Sequence, residues 1–141
     1  MQERYSYKQE NIFSISDEVV LVTGAAGQLG SSIVNGLIDN NAKVIATDTS
    51  LDILKNSAER WEWNKSKVIL KECDITKRGD IVAAIEEGIA IYGEITTLVA
   101  NAGVSVFEPY LERPEESIDL VMDVNLKGTL LCIQEFIKHR K

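Results

Sequence analysis

An apolar run, Val19-Val20-Leu21-Val22, passes without interruption into Thr23-Gly24-Ala25-Ala26-Gly27-Gln28-Leu29-Gly30, and this junction restricts the fold more than any other part of the chain. The run is the length of a strand and has no polar face, so it has to be covered on both sides. Beyond the glycines, Leu29, Ile33 and Leu37 with Val34 and Ile38 recur at helical spacing as far as Asn40. A buried strand that ends in a glycine turn and enters a helix directly leaves unpaired backbone N–H groups and the positive helix end aimed at one point. That point suits a pyrophosphate. Gly24 is read as the tight turn, Gly27 as the place where a ligand approaches the backbone, and Gly30 as the close contact of helix on strand, with Gln28 and Leu29 completing the cradle. Glycine-rich turns also serve as plain connections, so the reading needs company elsewhere in the chain.

Asp48 supplies it. It ends the next strand-like run, Lys43-Val44-Ile45-Ala46-Thr47, about twenty residues beyond the third glycine, where a carboxylate can accept hydrogen bonds from adenosine ribose hydroxyls. The same charge repels a 2′-phosphate, and no Arg or Lys occurs from Gly24 to Gly30 or from Asp48 to Leu51 to neutralise one. NAD(H) is therefore expected in preference to NADP(H). The alternative is an Asp that merely opens the turn Asp48-Thr49-Ser50.

Strand and helix patterns then alternate. A helix is expected over Leu51 to Trp63, a third strand over Lys67 to Glu72 and a helix over Arg78 to Tyr92 with Ile81, Ile85 and Ile89 four apart. A fourth strand is expected over Thr97 to Asn101. A loop through Pro109 and Pro114 leads to a long helix over Glu115 to Lys138. Repeated β-α units with apolar strands imply a doubly wound, Rossmann-type parallel sheet of order 3-2-1-4 in an α/β fold. The chain is expected to comprise a tail over residues 1–16, whose Phe13 and Ile15 pack under the first strand, and one domain over residues 17–141.

With 141 residues and a formal net charge of −7 spread along the chain, a phosphate backbone or an anionic membrane surface would be repelled. No nucleic-acid or membrane partner is expected. Residues 1–16 lack the apolar stretch of a secretory signal, and the apolar runs are too short to span a bilayer. Cys73 and Cys132 are far apart, with no Cys-x-x-Cys, and His139 is the single histidine. Reduced, buried thiols, no metal site and a cytoplasmic location are the expectations.

Further motifs close the later strands. Cys73-Asp74-Ile75 ends the third, Ala100-Asn101-Ala102-Gly103 ends the fourth, and Val124-Asn125-Leu126-Lys127-Gly128 lies in the long helix. Together with the glycine turn and Asp48 they resemble the short-chain dehydrogenase/reductase family from about Asp17 onward. The resemblance implies that Asp74 and Ile75 wall the adenine, that Asn101, Ala102 and Gly103 steady the sheet and border the cofactor, and that Val124 lies near the nicotinamide ribose. It makes Asn125 a supporting catalytic residue that holds a water in a proton relay. The residues alone leave open strand-terminating turns at Asp74 and Asn101, and a helix-packing notch at Asn125 and Gly128.

The spacing Thr-Gly-x-x-Gly-x-x-Gly is typical of a longer branch that includes sugar-nucleotide epimerases, whereas the Asn-Ala-Gly turn and the Asn125 segment match the shorter, commoner one. The shorter branch is favoured, with hydride transfer between nicotinamide and an alcohol or carbonyl, a small-molecule substrate such as a sugar or polyol among the candidates. In that family a Ser and a Tyr-x-x-x-Lys carry catalysis beyond the long helix. None of Tyr5, Tyr7, Tyr92 or Tyr110 is followed four residues on by Lys. The resemblance thus implies the cofactor-binding half of an oxidoreductase, truncated before the fifth strand and inactive alone. The alternative is a non-catalytic NAD-binding module, or a truncated fragment acting through association. The resemblance also implies self-association through the last helix, with Leu120, Val121, Val124, Leu131 and Phe136 facing a partner. A P-loop phosphotransferase is excluded, because Ser31 follows Gly30 where such a loop needs Lys.

Overall fold

The computed structural model describes residues 14–140. Four strands, β1 (Val19–Thr23), β2 (Lys43–Asp48), β3 (Val68–Glu72) and β4 (Thr97–Val99), form one parallel sheet of order β3-β2-β1-β4. They alternate with α1 (Gln28–Asp39), α2 (Leu51–Arg60) and α3 (Arg78–Tyr92). After β4 come a 3₁₀ turn at Tyr110–Glu112, α4 (Glu115–Val121), a π-helical segment at Met122–Gly128 and α5 (Thr129–His139).

β1 is buried at every position because it is central and covered on both faces. Its alternate residues feed two cores. Val20 and Val22 join Val44 and Ala46 under Val34 and Ile38 of α1 and Leu54 of α2. Val19 and Leu21 join Ile45 under Ile81, Ala84 and Ile85 of α3 and Cys132 of α5. Each large aliphatic side chain so enclosed contributes about 1.5–3 kcal/mol. Glu135 of α5 is buried between Arg78 of α3 and Lys138, and those two partners hold its carboxyl below the usual carboxylate range, Lys138 first. At the amino ends of the strands, the Thr97 hydroxyl donates to Glu18 at 2.8 Å and the Val19 N–H donates to the Thr96 hydroxyl at 3.0 Å, tying β4 to the start of β1.

Several boundaries differ from the sequence expectation. The helix expected to reach Trp63 ends at Arg60, because Glu62 takes a left-handed conformation with φ 52° and folds Trp63 back into the first core. β3 begins at Val68, one residue late. β4 ends at Val99, since the Asn101 N–H turns back to the Val99 carbonyl and cannot extend the ladder. The long last helix is three segments, interrupted by π geometry around Asn125. Leu29 does not share the buried face of α1; it is 74% exposed. Ile15 packs on the first core as expected, while Phe13 lies outside the described residues.

The face expected to meet a partner is also revised. Val124, Leu131 and Phe136 pack against the second core, Val121 is half-buried, and of that set Leu120 alone is exposed. The exposed apolar stripe runs instead through Ile118, Met122, Leu126, Leu130, Ile133 and Ile137.

Candidate functional site

The carboxyl ends of all four strands open onto one crevice, as an open α/β sheet requires where strand order reverses beside β1. Its geometry starts with Gly24, whose φ of +64° turns the chain sharply off β1. A β-carbon at Gly24 would lie 2.7 Å from the Ala102 Cα, and one at Gly30 would lie 2.0 Å from the Gly24 carbonyl oxygen. The absence of both side chains lets α1 start directly over the strand.

At that start nothing neutralises the helix end. Gly27 provides no capping side chain and the first turn holds no acidic residue. The Ser31 N–H is the first to find a helical carbonyl, that of Gly27 at 2.9 Å, so the amides of Gln28, Leu29 and Gly30 have no acceptor among the described residues. Three free donors and a positive dipole end together make an anion cradle.

The opposite wall comes from β2 and β3. Asp48 is half-buried; its Oδ2 accepts from the Ala26 N–H at 3.0 Å and its Oδ1 from the Thr49 N–H at 2.8 Å. It thus ties the end of β2 to the glycine turn. Asp74 accepts the Thr76 hydroxyl at 2.7 Å and faces the Lys77 ammonium at 3.3 Å. The Thr76 hydroxyl is the main cause holding the Asp74 carboxyl below its usual range, with burial working against it. The Asp74 side chain therefore stays ionised, and its own N–H is taken by Asp80 of α3 at 3.1 Å.

Asn101 closes the floor. Its side-chain amide donates to the carbonyls of Thr23 and Gly24, each at 3.1 Å, while the buried Thr23 hydroxyl accepts the N–H groups of Asn101 and Ala102, also at 3.1 Å. Strand β1, the glycine turn and the loop after β4 are thereby one hydrogen-bonded unit.

Gly24, Gly27, Gln28, Leu29, Gly30, Asp48, Asp74, Ile75, Asn101, Ala102, Gly103 and Val124 all line a single pocket of about 470 Å³. Thr49, Cys73 and Val104 line it too and were missed, although each is the chain neighbour of an expected residue. Asn125 does not line it. Its Oδ1 accepts the Val104 N–H at 2.8 Å and its Nδ2 donates to the Val104 carbonyl at 2.9 Å, so the π segment clamps the loop that forms the pocket rim. Gly128 brings that segment close to the second core; a β-carbon there would lie 2.8 Å from the Ile75 side chain. Among the described residues, no group of three or more His, Cys, Asp or Glu is arranged to hold a metal, and no helix is long and apolar enough to cross a membrane.

A four-stranded parallel sheet with helices on both faces and a glycine-lined crevice at its strand ends defines a Rossmann-type α/β protein. The family model described as short chain dehydrogenase matches residues 18–141, and the chain belongs to that family. An NAD-dependent glycerol dehydrogenase of Listeria innocua is 34% identical over 122 residues, covering 86% of this chain and 47% of that protein. The solved structure of a short-chain dehydrogenase/reductase, described as a glucose/ribitol dehydrogenase, from Brucella melitensis superposes with a TM-score of 0.85 at 20% identity, covering 92% of this chain and 55% of that one. A 3-ketoacyl-(acyl-carrier-protein) reductase from the same organism, solved with NADH, gives a TM-score of 0.79 at 26% identity, covering 86% and 50%. The chain spans about half the length of the curated relatives it matches.

Proposed function

We propose that residues 17–141 are the NAD(H)-holding domain of an oxidoreductase that moves hydride between nicotinamide and an alcohol/carbonyl pair, preceded by a tail over residues 1–16. The observation that carries this reading is the uncapped start of α1, with three free amides, facing the same pocket as Asp48. Those amides would hold the diphosphate, and the Asp48 carboxylate would accept from the ribose hydroxyls. Asp74 and Ile75 would wall the adenine; Ala102, Gly103 and Val124 would border the nicotinamide half. Asn101 and Asn125 would act as positioning residues, the first by joining the glycine turn to β4 and the second by fixing Val104.

The nicotinamide, when bound, supplies the hydride donor or acceptor. Proton transfer needs a separate acid/base, and no Tyr-x-x-x-Lys occurs in these 141 residues, so that group would come from outside them. NAD(H) is preferred to NADP(H) in this reading because Asp48 meets no neighbouring cation that would accept a 2′-phosphate. The glycerol dehydrogenase relative supports both NAD and a polyol-type substrate. The exposed stripe on the last helix supports self-association, and buried thiols suit a reducing, cytoplasmic setting. A second reading is an NAD-binding module without turnover.

The test is a fluorescence titration with NADH and NADPH, followed by turnover assays on the same sample. Asp48→Ala is expected to weaken NADH binding about tenfold, the loss of a charge-assisted hydrogen bond, and to narrow the gap to NADPH. A parent chain that binds neither nucleotide, or a variant with both constants unchanged, would overturn the assignment. Tight binding without turnover selects the module.

A further inference from the structure

Two helices follow strand ends that line the crevice, and their amino ends are finished differently. The start of α1 leaves the Gln28, Leu29 and Gly30 amides without acceptors among the described residues. Around the start of α2 several donors are taken, while the Asp52 N–H has no acceptor among the described residues. The Thr49 N–H goes to Asp48 Oδ1 at 2.8 Å, the Leu51 N–H to Glu72 Oε2 at 3.3 Å and the Ile53 N–H to the Ser50 hydroxyl at 3.4 Å. Asp52 adds a negative charge in the first turn.

The acceptor on Leu51 comes from another strand. Glu72 ends β3 and is paired in register with Asp48 at the end of β2; Asp48 lines the pocket, and Glu72 stands one strand over, outside its lining. A helix start with free amides one strand beyond the ribose would attract a phosphate. Here a carboxylate occupies the first amide, and its charge would repel the incoming group.

We propose that Glu72 is a specificity-determining residue: together with Asp48 it closes the start of α2 to the 2′-phosphate of NADP(H), so that the pocket takes an adenosine with a free 2′-hydroxyl. This rests on the reading of the pocket as an NAD(H) site. Asp48 discriminates at the ribose itself, whereas Glu72 fills the place where the extra phosphate would be bound. Glu72 is exposed and outside both cores, so its side chain can be changed without disturbing the sheet.

The experiment uses the 141-residue chain with Glu72→Gln and Glu72→Lys, titrated with NADH and NADPH and, as competitors, with ADP and adenosine 2′,5′-bisphosphate. Glu72→Gln is expected to leave the NADH constant within about twofold and to tighten NADPH and the bisphosphate at least about fivefold, with a larger gain in Glu72→Lys, because a like charge has been removed or reversed. Raising salt from about 0.05 M to about 0.5 M should shrink the gain, since the screening length falls severalfold. A role confined to capping α2 would move both nucleotides together, and an unchanged NADPH to NADH ratio in both variants overturns the proposal while leaving the NAD(H) reading intact. A parent chain that binds neither nucleotide removes both.

Discussion

A β-carbon at Gly30 would meet the Gly24 carbonyl oxygen at 2.0 Å and both the Ala25 Cα and the Asn101 side-chain amide at 2.9 Å. Two of those neighbours are backbone, so the strain cannot be relieved by a rotamer change. Gly30→Ala is expected to lower stability by about 1–3 kcal/mol, the usual range for overpacking. Gly36, in the same helix, has nothing within 4 Å of its would-be β-carbon. There the same substitution should raise stability by about 0.5–1 kcal/mol through helix propensity. Urea midpoints of the two variants check the pair, and a loss at Gly36 or no loss at Gly30 would contradict the close helix-on-strand approach. The sequence spacing identified Gly30 as the packing glycine. It could not reveal that Asp48 would also hold the Ala26 amide, because that bond joins the end of one strand to the loop after another.

At the scale of elements, the last helix is the most revised. The family resemblance turned Leu120, Val121, Val124, Leu131 and Phe136 of the expected Glu115 to Lys138 helix toward a partner chain. Val124 within the π segment at Met122–Gly128, and Leu131 and Phe136 in α5, instead pack against the second core. The solvent face carries Ile118, Met122, Leu126, Leu130, Ile133 and Ile137 at mostly four-residue spacing. An exposed apolar stripe of this kind supports the proposed self-association. Sedimentation at micromolar concentration is expected to show a species larger than one chain, and Leu126→Glu with Ile133→Glu should shift it to the monomer. A folded monomer for the parent would remove the proposed self-association.

For the molecule as a whole, the two thiols report on the integrity of the second core. Burial pushes Cys73 up to about 12 and Cys132 up to about 11. The folded values lie above the unfolded ones, so this contribution to stability is fully present below the ordinary thiol range near 9.0 and is lost as pH rises toward 11 and 12. Unfolding free energy should therefore fall on the order of 1 kcal/mol per thiol between about pH 9 and about pH 10. Denaturation series at the two pH values test this, with the Cys73→Ala, Cys132→Ala double variant losing that part of the slope. At about pH 8 a thiol reagent should label neither cysteine until the chain unfolds. Rapid labelling of the native protein would mean that the core between β3, α3 and α5 opens readily.

The sequence by itself determined the element order, the parallel sheet and the crevice, because strand length, helical period and glycine turns are written in short windows, and right-handed crossovers then leave one arrangement. It also brought Asp48, Asp74 and Asn101 to one place, since each ends a strand and strand ends in such a sheet converge. Tertiary structure alone decided what those side chains hold. Glu72 on the Leu51 amide, Asn125 on the Val104 backbone and the Thr23 hydroxyl under Asn101 and Ala102 each join residues distant in the chain. Such bonds depend on strand register and on a π turn within a helix, and neither leaves a period that a local pattern records.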